Sequence, residues 1–327
     1  MADSAEVVST AAPKMAPKVR KRYPYLIDLF IRLVKQKPLG TVGGVIVLLL
    51  LLTGIFAELV APFGYNDIYV GGRLEPPSAR HFLGTDQIGR DLFSRIIFGA
   101  RISMYVGIGA STIGVAMATL IGIISGFSGG RVDIVIQRIV DAWMCFPALF
   151  ITLTIMAIVG PGVVQIIVVL GILYGVGASR IVRSAVIAIK NNVYVEAAKA
   201  IGCTTPKTLV RHILPNVMAP IIILFTINMG AAILAEASIS FLGFGIPPPT
   251  PSWGGMLSGE GRRYMLQATW MAIFPGIALS IVVYGINMLG DALRDLLDPR
   301  LRGGLGRYAG VGKKAARVHA KAIGGRK

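Results

Sequence analysis

Val45-Ile-Val-Leu-Leu-Leu-Leu-Leu-Thr-Gly-Ile-Phe56 carries no charge and one polar side chain, Thr53. The apolar run around it extends from about Gly43 to Val60. A hydrocarbon core of about 30 Å takes roughly 20 helical residues to cross, so the run predicts a first membrane span. Lys35 and Lys37 stand just before it, and basic flanks mark the cytoplasmic end of a span. The chain therefore leaves the cytoplasm here.

The rest of the chain agrees. Of 327 residues 54% are hydrophobic and 15% charged, the mean hydropathy is +0.69, and soluble domains carry about 25% charged residues. A bilayer replaces the globular core, and a soluble enzyme is not expected. The net charge of +17 would suit nucleic-acid binding, but zinc spacing and aromatic-basic recognition motifs are missing. The basic residues instead gather at the ends. Lys14, Lys18, Arg20, Lys21 and Arg22 precede the first run, and Arg300, Arg302, Arg307, Lys313, Lys314, Arg317, Lys321, Arg326 and Lys327 follow the last. Positive-inside bias puts both termini in the cytoplasm. Cys145 lies in an apolar run and Cys203 in a polar loop, which supports neither a structural disulfide nor a cysteine metal site. The first forty residues lack the short apolar core and cleavage site of a removable signal peptide.

From Ala61 to about Arg101 the chain is too charged for lipid. It is expected outside, with a short amphipathic helix near Asp91–Phe98. Further spans are expected at about Ser103–Phe127, Val132–Val159, Val163–Gly177, Pro215–Leu234 and Trp270–Leu289. Short links at Ser128–Arg131 and Gly160–Gly162 predict antiparallel hairpins, and Pro147 predicts a kink. Gly122 with Gly126, and Gly171 with Gly175, have the spacing that lets helices pack closely, here within the chain. The fold class is all-α, a polytopic membrane protein with about six transmembrane helices. The expected division is a basic cytoplasmic arm at 1–40, the first span and external segment at 41–102, a core with five spans and a cytoplasmic loop at 103–291, and a basic cytoplasmic tail at 292–327.

The loop Ser179–Leu214 is expected in the cytoplasm, where Arg180, Arg183, Lys190, Lys199, Lys207 and Arg211 face one acid, Glu196. Tyr194–Ile201 reads as a short helix, and Gly202 stands where a left-handed residue ends one. Thr205 is the expected N-cap of a second helix with Pro206 in its first position. From local pattern alone, this helix–Gly–helix elbow fits a solvated connection as well as a functional surface.

A resemblance separates the two. Glu196-Ala197-Ala198, Gly202 and the closing Leu214-Pro215 resemble the EAA loop of ATP-binding-cassette importer permeases. His81-Phe-Leu-Gly-Thr-Asp-Gln-Ile-Gly-Arg-Asp-Leu-Phe-Ser-Arg95, Ser240-Phe-Leu-Gly-Phe-Gly-Ile-Pro-Pro-Pro-Thr-Pro-Ser-Trp-Gly-Gly-Met256 and Leu289-Gly-Asp-Ala-Leu-Arg-Asp-Leu-Leu-Asp-Pro-Arg300 are similar to the C-type permease subunit of the dipeptide, oligopeptide and nickel branch. The likeness covers about residues 25–303 in separate blocks. It implies a type I importer permease fold, with the loop as a coupling helix docked in an ATPase subunit. It also implies a second, homologous permease subunit, two ATP-binding-cassette ATPases, an extracytoplasmic substrate-binding protein and an inner-membrane location. The cargo would be peptides, or alternatively nickel or another small solute. His212 departs from the family, which often has Ile there, and reads as a solvated residue near the membrane surface.

Asp133, Arg138 and Asp141 open the third span, and three-residue spacing puts Arg138 and Asp141 on one helical face. An unpaired charge at a helix centre costs about 2.5–3.5 kcal/mol on insertion scales, so a structural ion pair near the cytoplasmic interface is expected, with a substrate contact as the alternative. Glu236, near the outer end of the fifth span, is expected to bond to the Gly-rich turn after Leu242, with a substrate contact as the alternative. No catalytic residue and no metal site are expected. The phosphate-cradling glycine loop with its Lys and hydroxyl is missing, because Gly312-Lys313-Lys314 lacks the hydroxyl. His81, His212 and His319 form no zinc pair, and Ser103, Ser111 and Ser125 read as packing hydroxyls. This chain would bind no cofactor, leaving ATP and magnesium to partner subunits. A self-sufficient secondary transporter or channel, and a membrane-embedded enzyme, are the rival classes.

Overall fold

A computed structural model describes residues 25–297. The basic residues expected to anchor the termini, Lys14 to Arg22 and Arg300 to Lys327, lie outside the described residues, as does His319. The described residues form helices α1 (Tyr25–Gln36), α2 (Pro38–Ile55), α3 (Ala57–Val60), α4 (Leu92–Ser128), α5 (Gly130–Met144), α6 (Ala148–Val159), α7 (Val163–Lys190), α8 (Val193–Ala200), α9 (Thr205–Thr208), α10 (Leu214–Phe241), α11 (Trp253–Leu257), α12 (Gly259–Tyr264) and α13 (Trp270–Leu297), with a π turn at Leu209–Ile213. Five stretches are long and apolar enough to cross a membrane: α2, α4, α7, α13 and the run Thr205–Phe241.

The third expected span is not one rod. Its two halves, α5 and α6, meet at 83°. Pro147 supplies no N–H and starts α6 from extended backbone, φ −60° and ψ 129°, so the expected kink is a full break. The pair nonetheless returns the chain across the bundle. α4 and α7 run parallel, because a Cβ on Gly114 would approach Gly171 O at 3.2 Å, while one on Gly122 would approach Ser179 O at 2.7 Å and one on Gly126 Arg183 O at 2.9 Å. Two parallel helices in sequence need a return pass between them, and α5–α6 provides it.

α10 runs against α4, since Gly107 faces Ile233 and Gly114 faces Asn228. α13 runs against α10, with Gly230 on Ile286 and Gly290 on Thr226, and α2 runs against α13, with Gly40 on Ala292 and Gly43 on Gly285. The chain thus makes six passes. Lys37 Nζ reaches Asp295 Oδ2 at 2.5 Å, so both ends of the described bundle meet on one face. The linker α8–α9 lies on that same face, and residues 61–91 with α11 and α12 lie on the other.

Several boundaries differ from the sequence reading, the first span among them, which runs Pro38–Ile55 and not Gly43–Val60. The amphipathic helix expected near Asp91–Phe98 is no separate element but the first turns of α4, which Asp91 caps by accepting from Ser94 N at 2.8 Å. α7 does not end at Gly177 but continues to Lys190, because Arg180 and Arg183 find carboxylates on α5. α10 and α13 likewise extend beyond Leu234 and Leu289.

The helices close on each other through buried apolar residues. Val106, Ala110, Met156, Ile166 and Leu170 form one cluster among α4, α6 and α7. Leu50, Ile233, Trp253 and Ile286 form a second at the meeting of α2, α10, α11 and α13. Large apolar side chains such as Leu48, Leu49 and Leu52 remain exposed on α2, the arrangement expected of a surface turned to lipid.

Candidate functional site

The linker between α7 and α10 folds as two short helices. Val195 is buried against Val186, Ile213 and Val217, and Ala198 is buried as well, which fixes the face that α8 turns inward. Glu196 and Ala197 are exposed. Gly202 has φ +82°, with Gly202 N donating to Lys199 O at 2.9 Å and Cys203 N to Ala198 O at 3.0 Å. These two bonds define the Schellman ending, in which a left-handed residue satisfies the last helical carbonyls. A Cβ on Gly202 would meet nothing within 4 Å, so backbone conformation, not space, demands glycine there.

The second helix starts one residue earlier than its sequence suggested. Thr204, not Thr205, holds the N-cap position, with ψ 151° and no side-chain cap bond, and Pro206 follows at the second helical position. The π turn Leu209–Ile213 then precedes Pro215. Proline lacks an N–H and crowds the carbonyl four residues back, here that of Arg211, and a widened turn relieves both. Leu214 and His212 are half-buried and Pro215 is exposed. The elbow also displays Val193 (80% exposed), Ile201 (85%) and Val210 (66%), an apolar set beyond what its own packing uses.

Glu196, Ala197, Ala198, Gly202, Leu214 and Pro215 therefore sit within one elbow. Arg138, Asp141 and Glu236 do not join it. Arg138 Nη1 is 3.6 Å from Asp141 Oδ2, so the expected ion pair is present, but the Arg138 side chain is 79% exposed and such a pair contributes little. Asp141 is also held by Arg180 of α7. The tight contact is Asp133 with Arg183, whose Nε and Nη2 donate to Oδ1 and Oδ2 at 2.6 and 2.5 Å. Ser125 Oγ also bonds to Asp133, and Lys190 Nζ donates to Gly126 O at 2.8 Å. Arg180 and Arg183 escaped the sequence reading because they were assigned to a loop. The signal lay in Val182, Ala185, Val186 and Ile189, which continue the helical apolar period of α7.

Glu236 is fully buried and accepts from Ser240 Oγ at 2.7 Å. The same hydroxyl accepts from Ile246 N at 3.3 Å, so the expected link to the Gly-rich turn runs through Ser240. The outer segment is locked onto the helix ends. Trp270 Nε1 donates to Thr85 O at 3.2 Å, Trp253 Nε1 to Ile96 O at 3.1 Å, and His81 Nδ1 lies 3.0 Å from Asp91 Oδ1.

Residues 118–303 match the family described as binding-protein-dependent transport system inner membrane component, and residues 26–77 match the N-terminal TM domain of oligopeptide transport permease C. The dipeptide transport system permease protein DppC of Alkalihalophilus pseudofirmus is 40% identical, over 82% of this chain and 88% of that protein. The oligopeptide transport system permease protein OppC of Bacillus subtilis is 38% identical, over 82% and 88%. The glutathione transport system permease protein GsiD of Shigella boydii is 37% identical, over 91% and 97%. Among solved structures, an inward facing conformation of the MetNI methionine ABC transporter aligns with a TM-score of 0.51 and 17% identity, over 62% of this chain and 96% of that one, and so shares the fold. With this match, these relatives and six passes of helix, the chain belongs to the binding-protein-dependent transport system inner membrane component family, as a multi-pass membrane permease subunit.

Proposed function

We propose that this permease forms half of the translocation path for short peptides in an ATP-binding-cassette importer of the inner membrane. A second, homologous permease subunit supplies the other half. Two separate ATPase subunits hold ATP and magnesium, and an extracytoplasmic binding protein delivers cargo. The chain itself binds no cofactor and breaks no bond. Its arm at 1–40 and tail at 292–327 lie in the cytoplasm with the elbow, and the core at 103–291 carries the path.

One observation supports the elbow as the ATPase contact. It presents Val193, Ile201 and Val210 to solvent beside Glu196 while its inner face is already packed, and an exposed apolar patch rimmed by polar groups marks a protein-binding surface. ATP-driven closure of the ATPases would move this elbow, and α7 and α10, continuous with it, would carry the motion into the bundle. Peptide cargo is the reading supported by the dipeptide, oligopeptide and glutathione permeases among the relatives.

The test is coexpression of this permease with its partners in cells stripped of other peptide uptake. Copurification with two ATPases and ATP-dependent dipeptide import are expected. Import by this chain alone in liposomes under an ion gradient would overturn the proposal.

A further inference from the structure

The outer face contains a cavity of about 460 Å³, within the size range of small-molecule sites. Its walls come from the loop before α4, the first turn of α4, and the segment between α10 and α12. Arg90 and Arg95 both line it, and both are about nine-tenths buried. One carboxylate, Asp86, stands between them. Asp86 Oδ1 accepts from the backbone amides of Ile88 and Arg90 at 3.0 Å each, and Oδ2 accepts from Arg90 Nε at 2.6 Å. Arg95 Nε is left 3.8 Å from that oxygen, and Arg95 Nη1 turns away to Tyr65 O at 3.0 Å.

Two largely buried guanidinium groups thus share one carboxylate, which accepts three hydrogen bonds but only one of them from a guanidinium. Among the described residues both Nη atoms of Arg90, and Nη2 of Arg95, have no acceptor. Charges withdrawn from water are costly unless paired, and the planar guanidinium fork matches a carboxylate in two parallel hydrogen bonds. Glu260 also lines the cavity, is exposed, and has no ion pair among the described residues. The lining therefore offers donors for a carboxylate and an acceptor for an ammonium group.

We propose that this outer cavity binds a short peptide through its free carboxylate at Arg90 and Arg95 and its free ammonium at Glu260, so that the permease itself favours zwitterionic cargo. The peptide identity rests on the function proposed above, whereas the carboxylate site stands on the arginine geometry. The test uses the permease complex in nanodiscs, without binding protein, in equilibrium dialysis against dialanine, dialaninamide and propionate. Dialanine should bind at least tenfold more tightly than dialaninamide, and propionate should compete with it. Arg90→Gln should weaken dialanine binding at least tenfold and Arg90→Lys less, while Arg131→Gln on the opposite face should change nothing. Equal binding of dialanine and its amide, or binding of neither, overturns the site, and that comparison needs no variant to fold. Propionate binding sensitive to Arg90→Gln, in a complex that imports no peptide, would keep the carboxylate site and overturn the peptide. Peptide import with binding indifferent to the carboxylate would keep the function and overturn the site.

Discussion

Replacing Gly202 by valine puts a β-branched side chain where φ is +82°. The Cβ meets nothing within 4 Å, so the first added atom brings no steric overlap. The cost lies in the backbone: an L-residue in the left-handed region costs about 1–2 kcal/mol, and β-branched residues are the poorest fit there. That energy corresponds to roughly a 5- to 30-fold shift in population away from the Schellman ending held by Gly202 N to Lys199 O and Cys203 N to Ala198 O. If the elbow transmits ATPase motion, substrate-stimulated ATP hydrolysis and uptake should fall by about that factor. Membrane insertion, measured as membrane association that resists carbonate extraction, should be unchanged. Gly202→Asn should be nearly normal, because asparagine tolerates the left-handed region, with Gly202→Ala in between. A valine variant with full uptake and full stimulated ATPase activity would sink the argument. Equal defects in the asparagine and valine variants would instead place the cause in a side-chain contact and not in the backbone.

Other substitutions probe the bundle. Asp133→Ala leaves Arg183 half-desolvated, and should cost between the ~1 kcal/mol of an exposed pair and the ~3–5 kcal/mol of a buried one; a thermal midpoint unmoved in detergent would contradict this, and the exchange Asp133→Arg with Arg183→Asp should recover part of the loss. Gly122→Leu drives a side chain into Ser179 O and Val182, both 2.7 Å from the first added atom, and should destabilise by about 1–3 kcal/mol or more as α4 and α7 separate. Gly177→Ala, whose Cβ meets nothing on a helix, should be neutral or gain about 0.5–1 kcal/mol, and equal behaviour of the two variants would refute the packing account. Glu236→Gln keeps an acceptor for Ser240 and should leave assembly and the KM for uptake unchanged, whereas Glu236→Ala strands that buried hydroxyl at about 1–3 kcal/mol. A raised KM for Glu236→Gln in a normally assembled complex would return Glu236 to the substrate path.

The spans were legible because lipid imposes a length and a composition on each of them, and the run from about Gly43 to Val60 satisfies both without reference to any distant residue. The elbow was legible for a related reason: Gly202 and Pro206 constrain the backbone by local chemistry. What the pattern hid were features set by contact between distant segments. Arg180 and Arg183 looked like loop residues because two cations in sequence normally end a span, yet Asp141 and Asp133, 39 and 50 positions away, neutralise them and let α7 continue. Arg138 and Asp141 looked like a pair because three-residue spacing joins them on one helix, yet the guanidinium on the neighbouring helix competes for the same carboxylate. Arg90 and Arg95 stood inside a quoted motif without a role, since only the fold brings the segment after α10 over them and closes a cavity. For Arg180 and Arg183 charge neutralisation is non-local, whereas helix periodicity and turn chemistry are local. A polytopic chain therefore discloses its spans more readily than the groups that meet between them. The same logic makes the outer arginine pair the more informative target, because the local pair of Asp86 with Arg90 does not account for Arg95 on the same cavity wall.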